Sequence, residues 1–111
     1  MTLEEVVKIL KSSDLPVTYY MWGKNAPSLP YLVYYYPNSN DEFADDENWT
    51  NIKQLNVELY TANKDFGLEG KIESIFKEND LCFIKSESYL NDENMYEVLY
   101  EMEVIIDEQE S

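Results

Sequence analysis

The segment IKQLNVELY, residues 52–60, predicts the central strand of the fold. Leu55, Val57 and Leu59 alternate with polar residues, and a period of two places every second side chain on the same face of a sheet. The segment MYEVLYEMEVIID, residues 95–107, alternates in the same way over a greater length. We therefore expect both strands to pack one face on a core and to leave the other face wet.

The wet side of these two strands should form an acidic sheet face. Strand alternation assigns to it six polar residues: Gln54, Asn56, Glu58, Glu97, Glu101 and Glu103. Leu99 and Ile105 share this side, which indicates that part of it packs on a neighbour. Carboxylates two or four residues apart on one strand can approach within ~7 Å, as in glycosidases. A flat strand supplies no pocket for such chemistry, so a solvated face is the default interpretation.

Along the chain, one helix is predicted before the first three strands and a second helix after them. Thr2 and Glu5 form a capping box ahead of an apolar stripe, which predicts a first helix from about Leu3 to Lys11. Asp65 can cap a second helix that ends near Asn79. The apolar stripe of that second helix consists of Leu68, Ile72, Ile75 and Phe76.

The remaining strands are predicted at residues 17–22, 31–36 and 81–89, from their β-branched and aromatic content. The element order is α-β-β-β-α-β-β. It predicts an α+β fold, a mostly antiparallel five-stranded sheet with two helices on one face. Residues 1–107 form the single domain, and the acidic residues 108–111 should fray.

Composition bears on which classes of function are open to the chain. It has no histidine, no arginine, a single cysteine (Cys82) and a net charge of −15. Nucleophile activation and zinc binding usually need histidine or several cysteines, so we expect no enzyme activity, no metal and no cofactor. The charge argues against direct nucleic-acid binding. The N-terminus resembles neither a signal peptide nor a membrane helix, and the lone Cys82, expected to be buried, fits a reducing cytosol.

The segment NSNDEFADDEN, residues 38–48, is the most polar part of the chain. A calcium loop of the EF-hand type would need glycine and glutamate where Phe43 and Trp49 stand. A solvated loop, or an arm that orders against a partner, remains open. The candidate partner-binding residues are Asp41, Glu42, Phe43, Asp45 and Asp46 in this segment, with Tyr34 and Tyr36 from the preceding strand.

The stretches LPYLVYYYPNSNDEFAD, IKQLNVELYT and MYEVLYEMEVIID, with this element order, resemble small tail-completion proteins of prophages in Gram-positive bacteria. Tail terminators of long-tailed phages are similar, sharing a helix, a three-stranded meander, a second helix and a closing hairpin. The resemblance implies a structural subunit, often a hexameric ring, that caps the tail tube and meets the head connector. Such a protein is present in the host cytoplasm during assembly and then in the virion neck. The acidic sheet face would then line the channel and keep DNA from adhering.

An acidic DNA mimic is the alternative that the composition leaves open. Such a protein occupies the nucleic-acid groove of a basic host protein, and the charge of −15 suits that role. The doubly apolar strand YLVYYY, residues 31–36, favours an assembly subunit instead, because tyrosine-rich strands are typical of subunit interfaces.

Overall fold

The computed structural model describes residues 1–37 and 51–106, with the side chain of Asn51 excepted. The described elements are α1 (Leu3–Lys11), β1 (Val17–Tyr19), a 3-10 turn (Gly23–Asn25), β2 (Tyr31–Tyr35), β3 (Asn51–Thr61), α2 (Phe66–Glu78), β4 (Phe83–Leu90) and β5 (Met95–Ile106). This order confirms the predicted α+β fold. The predictions for the polar segment 38–48 and for the tail 108–111 lie outside the described residues.

The five strands form one sheet in the order β1-β2-β3-β5-β4. The longest pairing joins β3 to β5, antiparallel, with Asn51 opposite Ile106 and Thr61 opposite Tyr96. The pairs β2–β3 and β4–β5 are also antiparallel, but β1 runs parallel to β2. The three-stranded meander that the resemblance implied is therefore not present, because the chain crosses over between β1 and β2 instead of turning back.

Both helices cover the same face of the sheet, which we call the helix-covered face. Val6 and Leu10 of α1 and Ile72 and Phe76 of α2 belong to one buried cluster. The sheet contributes to this cluster Leu32, Leu55, Val57, Leu59, Val98, Tyr100, Met102, Val104 and Ile106. The predicted core sides of β3 and β5 are therefore correct. We call the opposite side, which carries the even-numbered residues of β3 and the odd-numbered residues of β5, the second face.

Local hydrogen bonds fix where the helices begin. The Thr2 hydroxyl accepts from the Glu5 amide at 3.1 Å, and the Glu5 carboxylate accepts from the Thr2 amide at 2.9 Å. In α2 the Asp65 carboxylate accepts from the Leu68 amide at 3.0 Å. These bonds satisfy amides that have no partner within the helix, so both predicted caps are confirmed.

Two local predictions are wrong. β1 stops at Tyr19, because Tyr20 adopts a left-handed backbone with a φ of 74° and turns the chain out of the strand. Cys82 is exposed and not a small core residue, because the chain between α2 and β4 leaves the helix-covered face there and buries Leu81 instead. Within the described ranges, no helix is long and apolar enough to cross a membrane.

Candidate functional site

The second face carries exposed apolar side chains at one end. Ile52 of β3 and Ile105 of β5 lie directly opposite each other and are 58% and 56% exposed. Ile84 of β4 is 71% exposed but lies nearer the middle of this face, opposite Glu101 and level with Asn56. We call Ile52 and Ile105 the isoleucine end. Large apolar side chains clustered on one face mark an interaction surface more often than isolated ones do.

The middle of the second face holds a tyrosine–acid network, made of Tyr35, Asn56, Glu58, Tyr60 and Glu97. The hydroxyls of Tyr35 and Tyr60 donate to the two carboxylate oxygens of Glu58, at 2.9 and 2.6 Å. The Asn56 amide donates to the Tyr35 hydroxyl at 3.4 Å. Three neighbouring strands contribute to this network, so it stiffens the sheet where the strands are paired.

Glu97 completes the network from β5. The Tyr60 hydroxyl lies 3.5 Å from one of its carboxylate oxygens. Burial raises the pKa of Glu97 above its ordinary value, and the neighbouring Glu58 carboxylate raises it further. Burial also raises the pKa of Tyr60, and the bond to Glu58 adds to the effect, so this hydroxyl remains a hydrogen-bond donor at neutral pH.

The predicted acidic face therefore divides into two environments. Glu58 and Glu97 are half-buried in the network, whereas Glu103 is exposed next to the isoleucine end and Glu101 is half-buried beside Ile84. Asn56 was expected to be wet but is only 6% exposed, because Tyr35 and Gln54 bond to it on either side. The expectation of a uniformly solvated face is wrong for these inner positions.

The sequence raised the possibility of an acid/base pair of glutamates along β5. In the structure the carboxylate that acts on Glu97 is that of Glu58, on β3. Glu97 neighbours Glu58 across the strands, and both carboxylates are within hydrogen-bond reach of Tyr60. Glu101 and Glu103 border an open depression together with Gln54 and Ile84. The arrangement gives the second face a negative rim around apolar side chains, which suits contact with another protein.

The predicted partner-binding tyrosines Tyr34 and Tyr36 lie on the helix-covered side. Both pack against the core next to α1, and their rings meet edge to face at 6.2 Å. Burial raises the pKa of Tyr36 to about 12. The other candidates, Asp41, Glu42, Phe43, Asp45 and Asp46, lie outside the described residues.

A buried ion cluster joins α2 to β4 on the helix-covered face. Glu69 is 2% exposed, and its carboxylate oxygens lie 2.7 Å from the Lys64 ammonium and 3.0 Å from the Lys85 ammonium. Lys85 also contacts Glu73 at 2.7 Å, and Glu73 accepts from the buried Tyr100 hydroxyl at 2.9 Å. Every charge in this cluster has an opposite partner.

This pairing shows in the pKa of Glu69. Burial by itself raises that pKa, but the hydrogen bonds from Lys64 and Lys85 outweigh burial and hold it below its ordinary value. The cluster thus keeps its charges at neutral pH and fastens α2 to the sheet. In the part of the chain that the structure describes, no three potential ligands are grouped so as to hold a metal ion.

Sequence reasoning missed Ile52, Ile84 and the two network tyrosines, Tyr35 and Tyr60. Ile52 and Tyr60 occupy the same alternate positions of the strand as Gln54 and Glu58, so the strand pattern could have placed them on the second face. Neither a scan of protein-family models nor a search of curated proteins returns a match to this chain. The second face is therefore the feature of the molecule that bears most directly on its function.

Proposed function

We propose that this chain is a non-enzymatic assembly subunit that completes the tail tube of a phage or prophage particle and joins it to the head connector. The observation that carries the proposal is the second face, where exposed isoleucines stand beside carboxylates on a rigid sheet. Both helices pack on the helix-covered face, which leaves the second face open to a partner. The resemblance of the chain to tail-completion proteins supplies the identity of that partner.

In this proposal the chain forms a homo-oligomeric ring, and the isoleucine end packs on the adjacent subunit. Ring formation needs a head-to-tail contact between two different surfaces, and the isoleucine end supplies an apolar one. Glu101 and Glu103 then border the channel, where negative charge repels the passing DNA. No specific nucleic acid, membrane or cofactor takes part.

The DNA-mimic alternative rests on one observation, the net charge of −15. A mimic needs carboxylates that are free to meet lysine and arginine side chains of its target. On the second face, Glu58 accepts hydrogen bonds from two tyrosines and Glu97 is half-buried, so these two are poorly presented for that purpose. The geometry therefore favours the assembly subunit.

Deleting the gene from the phage or prophage that carries it tests the proposal. We expect electron microscopy to show filled heads separate from tails, with tails of irregular length, because growth of the tube would lack its terminator. Infectious titre should fall by several orders of magnitude and return when the chain is supplied from a plasmid. Normal joined particles in the deletion strain would exclude this function.

A further inference from the structure

The outer edge of β4 is a long edge of the described sheet. β4 spans Phe83–Leu90, contains no proline, and stands last in the strand order β1-β2-β3-β5-β4. Its residues from 84 to 89 are all exposed. Within residues 1–37 and 51–106, no strand pairs with this edge. Its outward backbone groups are therefore available to another strand.

The lysine on this edge does not block such pairing. Charged side chains that project outward, lysine in particular, usually prevent an edge strand from pairing with another chain. Here the Lys85 ammonium is drawn back toward α2, by Glu69 at 3.0 Å and Glu73 at 2.7 Å. The opposite edge, β1, has only three residues, Val17–Tyr19, and the chain turns away after it.

Symmetry limits how two copies can pair through β4. Two identical antiparallel edges are related by a two-fold axis perpendicular to the sheet. One residue must therefore lie opposite the same residue of the second copy, and we call that residue the centre of the pairing. Centres at Ser86 or Glu87 give the longest overlap within Phe83–Leu90. A centre at Glu87 sets two glutamates against each other, and a centre at Lys85 does the same with two lysines. Like charges directly opposite are unfavourable.

A centre at Ser86 avoids both conflicts and gives complementary pairs. Lys85 then faces Glu87 of the second copy, and Phe83 faces Tyr89, all on the helix-covered face. Within one copy Lys85 binds Glu69 and Glu73, and Glu87 binds Lys64. Both side chains keep exposed surface, 36% for Lys85 and 48% for Glu87, so opposite charges stand beside each other across the contact while these ion pairs stay closed. Opposite charges and aromatic pairs in these cross-strand positions stabilise a ladder.

We propose that two copies of this chain associate through their β4 edges, antiparallel and centred on Ser86, to form one continuous sheet. The contact is two-fold symmetric, unlike the head-to-tail contact of the ring, so it goes beyond the proposed function. It concerns the free protein, and each of the two contacts can exist without the other.

Ser86→Lys and Ser86→Glu test this contact, because each places like charges opposite each other at the centre. Ser86 is exposed, so neither change should disturb the fold. Sedimentation of the full chain over a concentration series should show a dimer. Each variant should weaken it roughly fivefold or more, and an equimolar mixture of the two should restore a mixed dimer, since lysine then faces glutamate. Ser74→Lys and Ser74→Glu, at an exposed site on α2, should leave it unchanged.

Cysteine cross-linking tests the register of the two β4 strands independently. Ser86→Cys in a Cys82→Ser background should give a disulfide-linked dimer on mild oxidation. The unmodified chain should not cross-link, because Cys82 would face Leu90 of the second copy. A chain that stays monomeric at every concentration, a mixture no tighter than the single variants, or a dimer linked through Cys82 would overturn the proposal.

Discussion

Replacing Ile52 and Ile105 together by glutamate is expected to abolish joining of tails to heads. The two side chains face each other across β3 and β5 and are more than half exposed. Burial of each in a subunit contact contributes about 1.5–3 kcal/mol, and glutamates there would bring two uncompensated charges into it. With the variant as the only copy in the deletion strain, infectious titre should fall roughly hundredfold or more.

The same variant should remain folded, which separates a lost contact from a lost structure. At strand positions exposed to this degree, each replacement of isoleucine by glutamate costs about 1 kcal/mol or less. The two carboxylates face each other across β3 and β5, and their repulsion adds about 1 kcal/mol at most, which the fold can bear. Gly70→Glu with Ser74→Glu is the matched control, since it adds two carboxylates on the exposed side of α2. The control should support normal titre. Full infectivity of the Ile52/Ile105 variant would show that the isoleucine end contacts nothing needed for assembly.

Removing both lysines that contact Glu69, as Lys64→Met with Lys85→Met, should give the largest loss of stability. The Glu69 carboxylate is 2% exposed and would remain buried without a cation. Such a loss typically costs about 3–5 kcal/mol of unfolding free energy. Urea denaturation at pH 7 measures it. Adding Glu69→Leu should recover most of the loss, because the fully buried carboxylate is then gone and the half-buried Glu73 still accepts from the Tyr100 hydroxyl.

The loss of stability in the double variant should depend on pH. In the native chain the Glu69 pKa is depressed, so the stability it contributes is present above the ordinary carboxyl pKa and is lost as pH falls through the depressed value. In the double variant burial acts alone and raises that pKa. The deficit should therefore be greatest at neutral pH and shrink as the carboxyl is protonated in acid.

Lys71→Met is the matched control for the loss of a lysine. Its ammonium is 4.0 Å from Asp14, and both side chains are largely exposed, so the change should cost less than about 1 kcal/mol. If the double variant lies within that range of the native chain at pH 7, the cluster does not fasten α2 to the sheet.

The sequence predicted those features that depend on local patterns. The caps at Thr2 and Asp65, and the core sides of β3 and β5, follow from residue chemistry and strand periodicity, and the structure confirms them. Sheet order was beyond reach of these patterns. Alternation tells which side of a strand is apolar but not which strand lies beside it, so the parallel pairing of β1 with β2 was missed.

The candidate site was predicted only in part, again because alternation does not show which strands are neighbours. Parity placed Glu58 and Glu97 on the second face, and the apolar Ile105 indicated a contact there. Their half-buried state depends on Tyr35 and Tyr60 reaching across neighbouring strands, which only the register determines. Likewise, nothing local in the sequence shows that Lys85 of β4 meets Glu69 of α2.

Mass spectrometry of purified tails is the most direct test of the central claim that this chain is a structural subunit of the particle. The account predicts that the chain is recovered with intact tails in a fixed, small number of copies relative to the tube protein. Recovery should persist after high-salt washing, since apolar contacts resist screening. Absence from the particles, with the chain instead bound to a basic host protein and released by salt, would contradict the account and support the DNA mimic.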